Sequence, residues 1–379
     1  MLPAINALNS AERQRLAETT YAVSQSNNTF NVYYSVFNLS YTADVFGGAR
    51  REIESLRAQV DFQRFELIAA YLTLSSNIVT TAINIASYQA QINATNYLIK
   101  SQRGLLKIFK EQYRLGGLSQ EDVLIQQTYL EQTIATLPPL QKSLSLSEHA
   151  LSMLIGTFPN KIMPVIDLDT LNLPGELPVS LPSNLVRQRP DVRASEMLFH
   201  SASAQVGVAT ANLLPQFTLT GSYGWTSNIL LNFFNPTNGI WDLVGSVAQP
   251  IFHGGALRAQ RRAAIAAYKQ AGAQYRQAVL QAFQNVADAL RSIEIDAHSL
   301  LAEMRAERSA LRSLNLTKNQ YKLGGVSYID LLNTQQQYQQ VLIARIQAQA
   351  TRYTDTVALF QALGGGWWNK QKECQLPTT

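Results

Sequence analysis

Hydrophobic residues recur at alternating steps of three and four through residues 253–322. The stripe consists of Ile265, Tyr268, Gly272, Tyr275, Val279, Ala282, Val286, Ala289 and Ile293. This period of 3.5 residues is typical of a left-handed coiled coil. Because the segment has no proline and is rich in good helix formers, the pattern predicts one helix of roughly 100 Å.

Residues 327–363 carry two neighbouring stripes of the same period. The mostly apolar one consists of Ile329, Leu332, Gln336, Gln339, Ile343, Ile346, Ala350, Tyr353, Val357 and Phe360. The polar or small one consists of Asp330, Asn333, Gln337, Gln340, Ala344, Gln347, Thr351 and Thr354. The polar stripe indicates either a solvated outer face or a face lining water inside a tube, and one helix does not separate these alternatives.

Strict alternation appears in residues 215–226, where Phe217, Leu219, Tyr223 and Trp225 alternate with small polar residues. Such a strand fits a transmembrane β-strand of about 9–11 residues, but also an ordinary half-buried strand. A partner strand is predicted over 240–252, with Trp241 on its apolar side. The first half offers strands with poorer alternation at 2–14 and 29–46.

The two halves of the chain repeat one plan. The sequence "QYRLGG" at 112–117 returns as "QYKLGG" at 320–325 (320 − 112 = 208), and three further matches follow in the same order at nearly the same offset. A glycine just past a helix can take the left-handed conformation that closes it, and Ser327 can cap the next helix. Each motif therefore predicts the tip of an α-hairpin.

The repeat divides the chain into a first copy at 1–156, a linker at 157–182, a second copy at 183–364 and a tail at 365–379. Each copy is predicted to contain strand, loop, strand, long helix, tight turn and helix. The predicted helices are 47–114, 118–156, 183–213, 253–322 and 327–363. Pro138-Pro139 predicts a break in 118–156, since proline inside a helix removes a hydrogen bond. The fold class is thus mainly α with a small β part.

Composition excludes several classes of function. Charged residues make up only 15% of the chain, and the net charge of +5 comes from scattered basic residues rather than a nucleic-acid-binding patch. The lone Cys374 and four separated histidines give no metal-ligand spacing. The sequence contains no stretch of 18 apolar residues, so no transmembrane helix is expected. We find no nucleophile elbow, phosphate loop or zinc-protease motif, so neither an enzyme nor a cofactor is expected.

Four strands per chain cannot close a transmembrane barrel, because open edges in lipid leave backbone groups unpaired. Either the strands lie outside a membrane, or several chains share one barrel. Three chains would supply twelve strands.

Several segments carry a specific resemblance to a known family. They are "LPSNLVRQRPDVRASEMLFHSASAQVGVATANLLPQFTLTGSYG" at 181–224, "QPIFHGG" at 249–255, "ALGGGW" at 362–367 and "TLPPL" at 136–140. With them the whole chain resembles the outer-membrane factor family of TolC-like efflux channels, particularly its lipoprotein branch. The resemblance implies a homotrimer with a shared twelve-stranded β-barrel in outer-membrane lipid and a long α-helical barrel in the periplasm. An equatorial region, for which 157–182 and the tail are candidates, would belt the helices.

The resemblance also implies partners. The hairpin tips, at Leu115, Gly116, Gly117, Leu323, Gly324 and Gly325, would dock a periplasmic adaptor (a membrane fusion protein). The adaptor links to an inner-membrane pump of the resistance-nodulation-division type. Aromatic residues expected at the membrane are Phe217, Tyr223, Trp225 and Trp241.

Carried over by position, the periplasmic gate falls just after the second tip. Asp330 matches a gate aspartate, Ile329 a constricting apolar residue, and Tyr321 a tyrosine that holds the closed state. Asn333 stands where many relatives have an acid, and Asp122 is the first-repeat equivalent of Asp330. An acid such as Asp330 in the first turn of a helix also commonly complements the positive N-terminus of that helix, which is the alternative role.

The chain is expected to be incomplete at its N-terminus. By the repeat, a helix matching 183–213 should precede Pro3, and relatives in the lipoprotein branch carry a signal peptide and an acylated cysteine there. The expected location is nevertheless the bacterial outer membrane. The competing interpretation is a periplasmic coiled-coil structural or adaptor protein that never enters the membrane; long heptads fit both.

Overall fold

The computed structural model describes residues 2–15, 29–159, 166–171 and 188–365. The chain divides into two compact units. One comprises residues 1–62 and 195–275, and the other comprises 63–194 and 276–379. Three features named in the sequence analysis lie outside the described residues. They are Cys374, most of the 157–182 linker and the tail beyond 365.

The described residues are mostly helical with a small sheet, as predicted. The helices are α1 (Gly48–Arg114), α2 (Gln120–Ala135), α3 (Leu137–Leu154), α4 (Pro190–Ala211), α5 (Ala256–Lys322) and α6 (Tyr328–Ala362). The strands are β1 (Ala4–Arg15), β2 (Thr29–Ala43), β3 (Gln216–Ser227) and β4 (Gly239–Ala248). Short 3₁₀ turns lie at 168–170, 230–232 and 236–238.

One predicted helix break is confirmed, and two predicted boundaries need correction. The helix predicted at 118–156 is two helices that meet at Thr136, as Pro138-Pro139 indicated. Strand β2 ends at Ala43 rather than at 46, because Asp44 leaves the sheet and accepts hydrogen bonds from the amides of Ala49 and Arg50 at the start of α1. Strand β4 ends at Ala248 rather than at 252, since Pro250 has no N–H to donate to a ladder.

The four strands form one antiparallel sheet in the order β1-β2-β3-β4. Across the sheet Ala7 pairs with Phe37, Phe37 with Tyr223, and Tyr223 with Trp241. Because side chains alternate between the two faces of a strand, this register fixes which residues share a face.

In the unit that contains the sheet, the ring of Phe199 on α4 stacks on Tyr268 of α5, with centroids 4.9 Å apart. A Cβ at Gly272 would lie 3.0 Å from the ring of Phe199, so the missing side chain makes room for the ring. On α1 and α4 the hydroxyls of Ser55 and Ser201 are 2.8 Å apart and form a buried hydrogen bond. Small residues thus let these helices approach closely.

In the other unit, the apolar stripe of α5 packs on α6 as predicted. Val286 and Ala289 are buried against Leu359 and Ala362. Arg189, before α4, is buried and donates from one Nη to the carbonyl of Ala362 at 2.6 Å. Arg189, which belongs to the segment at 181–224, thus satisfies a carbonyl at the end of α6.

Helix α1 is the one described helix whose length and apolar content would permit a membrane crossing, and its apolar window is only 17% buried in the single chain. This feature rests on length and composition alone, and the absence of a transmembrane helix stays a prediction. Several large side chains along α1 are exposed, among them Leu56, Val60, Ile68 and Tyr71.

Helices α5 and α6 also bring two carboxyl groups together. Asp355 lies close to Asp296 and to Ser292. Burial, followed by the hydrogen bond and the negative charge of Asp296, raises the pKa of Asp355 to about 6. A carboxyl whose pKa is raised on folding stabilises the fold at low pH, and this contribution is lost as the pH rises through about 6.

Replacing Asp355 by asparagine should therefore raise the thermal unfolding midpoint at about pH 8 and change it little at about pH 4.5, because only the ionised pair is repulsive. The exposed Asp288 on α5 supplies the control, Asp288→Asn. Thermal scans of the full chain in detergent at both pH values measure the effect. An equal shift of the unfolding midpoint by Asp355→Asn at both pH values would contradict the predicted repulsion.

Candidate functional site

The two hairpin tips have the same backbone geometry. Gly116 has φ +76° and Gly324 has φ +75°. The amide of Gly117 donates to the carbonyl five residues earlier at 2.8 Å, and the amide of Gly325 does the same at 2.9 Å. These are the bonds of a Schellman motif, in which glycine takes the left-handed conformation. The prediction of two equivalent tips is confirmed.

Each tip is followed by a capping box. The hydroxyl of Ser327 accepts from the amide of Asp330 at 3.2 Å, and the Asp330 carboxylate accepts from the amide of Ser327 at 3.0 Å. Ser119 and Asp122 repeat this exchange at 3.1 and 3.2 Å. Asp330 is thus a first-turn acid that caps α6, while its side chain remains exposed. Its role in a gate stays a prediction.

Next to the capping boxes, three aromatic rings pack together and connect the second hairpin to the first. Phe109 of α1 is fully buried, and its ring centroid lies 4.1 Å from that of Tyr328 in an edge-on arrangement. Tyr321, at the end of α5, lies 6.3 Å from Phe109 and 6.1 Å from Tyr328. Leu106, Val123 and other apolar side chains complete this tip core.

A buried glutamine connects the same elements through polar contacts. The hydroxyl of Tyr328 donates to Oε1 of Gln126, whose Nε2 donates to the carbonyl of Gln102 at 3.1 Å. Gln126 is fully buried, so these bonds satisfy polar groups that water cannot reach. Burial, followed by the charges of Tyr321, Tyr129 and Asp122, raises the pKa of Tyr328, so its hydroxyl remains a donor at neutral pH.

The structure brings two of the predicted gate residues together. Burial first, and then the nearby negative charge of Asp122, raise the pKa of Tyr321. Asp122 belongs to the first hairpin and Tyr321 to the second, so a charge of one hairpin acts on a side chain of the other.

The predicted apolar stripe of α6 is wrong at its start. Ile329 is 54% exposed, whereas Tyr328, Leu331 and Leu332 are buried. The tip core explains this, because Tyr328 and Leu332 pack in it against α1 and α2, whereas Ile329 lies outside it. The polar stripe, including Asn333, is exposed or half-buried along its length. Ile329, Asp330 and Asn333 therefore share an accessible surface.

The ends of the tips are accessible apolar points. Leu115 is 74% exposed and Leu323 is 86% exposed. Each precedes a glycine pair with no neighbouring side chain in contact, and a Cβ at Gly116 or Gly324 would meet nothing within 4 Å. The tips thus present two similar small apolar knobs.

The sheet carries the predicted membrane aromatics on one face. Phe217, Tyr223, Trp225 and Trp241 all fall on this apolar face, which also contains Phe37, Leu39, Tyr41, Leu219, Leu243 and Val247. Tyr223 and Trp225 contact each other edge-on with centroids 5.5 Å apart. The opposite face carries Asn6, Asn38, Ser40, Thr42, Thr218, Thr220, Ser222, Asp242 and Ser246, which make it polar toward the helices, and also the apolar Leu8, Phe30, Val32, Val36, Ile240 and Val244.

Sequence reasoning missed Phe109, Gln126 and Tyr328. The internal repeat gave no signal for them, because the residues 208 positions away are Thr317, Thr334 and Gln120. Among the described residues, no group of three histidine, cysteine or acidic side chains could hold a metal ion.

Comparisons with known proteins agree with this arrangement. The model of the family described as outer membrane efflux protein matches residues 1–157 and 181–365. The pyoverdine export outer membrane protein OpmQ of Pseudomonas aeruginosa is 26% identical over 97% of this chain and 78% of its own length. Nodulation protein T of Rhizobium leguminosarum bv. viciae is 29% identical over 89% of this chain and 70% of its own length. The open-state MtrE outer membrane channel of Neisseria gonorrhoeae superimposes with a TM-score of 0.85 and 26% identity, covering 96% of this chain and 81% of that one.

Proposed function

Because the chain belongs to the family of outer membrane efflux proteins, we propose that its hairpin tips form the periplasmic gate of a trimeric channel and that Asp330 supplies the charge at this gate. The protein is an outer membrane channel of an efflux system. Its family functions as a trimer with an adaptor and an inner-membrane pump. The proposed role is passive conduction without a catalytic step.

The observation that carries the membrane part of the proposal is the two-faced sheet. Over β3 and the paired stretches of β2 and β4, one face is mainly apolar and aromatic, while the other is mainly polar from Gln216 to Ser222. From Phe217 to Trp225 the apolar face spans about 25 Å along β3, similar to the apolar band of outer-membrane barrels. Strands β1 and β4 are open edges in one chain, and in lipid they need partners from other copies. A periplasmic coiled-coil protein would not need this face.

The exposed side chains of α1 also support a shared helical barrel. A helix in such a barrel packs on neighbours at both sides, so that part of its apolar surface is covered only by another copy. Leu67 and Tyr71 are examples of large exposed side chains on α1. The polar stripe of α6 then faces the water-filled interior.

At the gate, the capping boxes give the carboxylates fixed positions. A threefold axis would bring three Asp330 side chains to one level at the mouth, and three Asp122 side chains to another. Rings of carboxylates favour cations in a pore. The tip core, which packs Tyr321 and Tyr328 of the second hairpin against Phe109 of the first, supports a closed state in which the second hairpin is held against the first.

Asp330→Asn should lower the cation preference of single channels in planar bilayers, at least about twofold at ~0.1 M salt, where screening is weak. Asparagine retains an acceptor for the capping box, so the helix start is preserved. Ser327→Ala is the matched control, because it removes the cap, worth about 1 kcal/mol, but keeps the charge. Equal cation preference in wild type and Asp330→Asn would contradict the assignment of this residue to the gate.

We further propose that the apolar knobs Leu115 and Leu323 dock a periplasmic adaptor and that the pump is of the resistance-nodulation-division type. The support is their exposure of 74% and 86% at two tips of equal geometry. Heat-resistant trimers in detergent-extracted outer membranes support the channel assignment. Recovery of the full chain only in the soluble periplasmic fraction would contradict it.

A further inference from the structure

The register of the sheet arranges the residues of its polar face in rows. One row runs across all four strands and consists of Asn6, Asn38, Ser222 and Asp242. Asp242 is the charged member of this row, it is exposed, and its carboxylate accepts a hydrogen bond from the hydroxyl of Ser222. The row therefore holds one fixed negative charge per chain.

Charges in the described strands are sorted by face. Glu12 and Asp242 fall on the polar face. Arg13 and Arg15 fall on the opposite face, at the end of β1 far from the helices. Because side chains on opposite faces of a strand point away from each other, these arginines do not neutralise the two acids. The polar face of the described strands carries charge of one sign.

The surroundings of Asp242 differ from those of a core residue. Toward the helices the same face carries Val244, the next residue of β4 on this face, and the small polar side chains of Thr220, Ser40 and Thr218. A carboxylate facing hydrocarbon would be expensive, whereas one facing a water-filled lumen is not. The row of Asp242 thus belongs to the face that would line the water-filled lumen of the barrel.

We propose that Asp242 is a second cation-selecting residue, located inside the membrane barrel and acting independently of the periplasmic gate. This rests on the proposed trimer, in which three copies would place three Asp242 carboxylates at one level of the lumen. Twelve strands about 4.8 Å apart enclose a radius of roughly 10 Å. The Debye length is also about 10 Å at 0.1 M salt, so the field of the ring reaches the axis at low salt and is screened at high salt.

Asp242 could instead serve only to link β3 and β4 through Ser222, and two variants separate these roles. Asp242→Asn removes the charge and keeps an acceptor for the Ser222 hydroxyl. Ser222→Ala removes the hydrogen bond and keeps the charge. If Asp242 has a structural role, both variants should weaken the trimer. If Asp242 selects ions, only Asp242→Asn should change the cation-to-anion permeability ratio.

The test measures reversal potentials of full-chain trimers in planar bilayers under a potassium chloride gradient. Asp242→Asn should lower the cation-to-anion permeability ratio at least about twofold at ~0.1 M salt, and the difference from wild type should shrink near ~1 M. Ser222→Ala should match wild type. Conducting Asp242→Asn trimers with the wild-type ratio at low salt would overturn the inference and leave the proposed function intact. Wild-type chains that form no conducting trimer would overturn the proposed function itself.

Discussion

Replacing Gly224 with alanine is expected to prevent assembly of the membrane sheet. An alanine Cβ at this position would lie 2.6 Å from Cα of Val36 and even closer to the carbonyl oxygen of Ser35. Both are backbone atoms of the neighbouring strand, so no side-chain rotation relieves the overlap. Strands β2 and β3 would have to separate, and each ladder hydrogen bond lost without replacement costs about 1–3 kcal/mol.

The measurement is the yield of heat-resistant trimer in outer membranes, which should fall more than about tenfold, a loss that corresponds to over ~1.4 kcal/mol. Gly245→Ala is the matched control, because a Cβ at Gly245 of β4 meets nothing within 4 Å. Alanine is accepted in strands somewhat better than glycine, so the control should assemble normally. Equal trimer yields from both variants would show that the close approach at Gly224 does not matter.

Phe109→Ala is expected to loosen both hairpin tips together. The side chain is fully buried, contacts Tyr328 and lies in the core that joins α1, α2 and α6. Truncating a buried phenylalanine typically costs about 3–5 kcal/mol. Because the three elements share this core, the loss should appear in segments far apart along the chain.

Hydrogen exchange of the full chain, followed by mass spectrometry, measures this loosening. Amides in 99–137 and 321–332 should exchange faster by about two orders of magnitude or more, as the cost above implies. Tyr113→Ala, on an exposed position of the same helix, should change exchange little. Acceleration confined to α1 would contradict a shared tip core.

The tips could be predicted from sequence because their geometry is local. A helix, a glycine pair and a serine followed three residues later by an acid suffice for the turn and the cap, and the repeat supplied them twice. The same holds for the helix break at Thr136, which the prolines determine. Local chemistry decides these features, so one sequence was enough.

The tip core could not be predicted, because it depends on contacts between distant segments. Tyr328 and Gln126 are 202 residues apart in the chain, and Gln126 and Gln102 are 24 apart. A glutamine in the middle of a polar helix carries no sign of burial. The exposure of Ile329 has the same origin, since the contacts of α6 with α1 and α2 bury Tyr328 and Leu332 and leave Ile329 outside the tip core.

The arrangement of the sheet could be predicted from the sequence only in part. Alternation identified the two faces of β3, and all four predicted aromatics fall on one face. Alternation in β1 is weak, because its apolar face includes Ala7, Asn9 and Arg13. Only the register showed that Asp242 and Asn6, from opposite edges of the sheet, share a row.

The break at Thr136 gives the two hairpins different mechanical properties. Helix α6 returns from its tip as one rod of 35 residues, whereas the equivalent part of the first half is a 16-residue and an 18-residue piece with a joint between them. Prolines at the joint remove the hydrogen bonds that would stiffen it. We therefore expect the returning arm of the first hairpin to bend at Thr136 under a force on Leu115, whereas α6, the returning arm of the second hairpin, has no such joint.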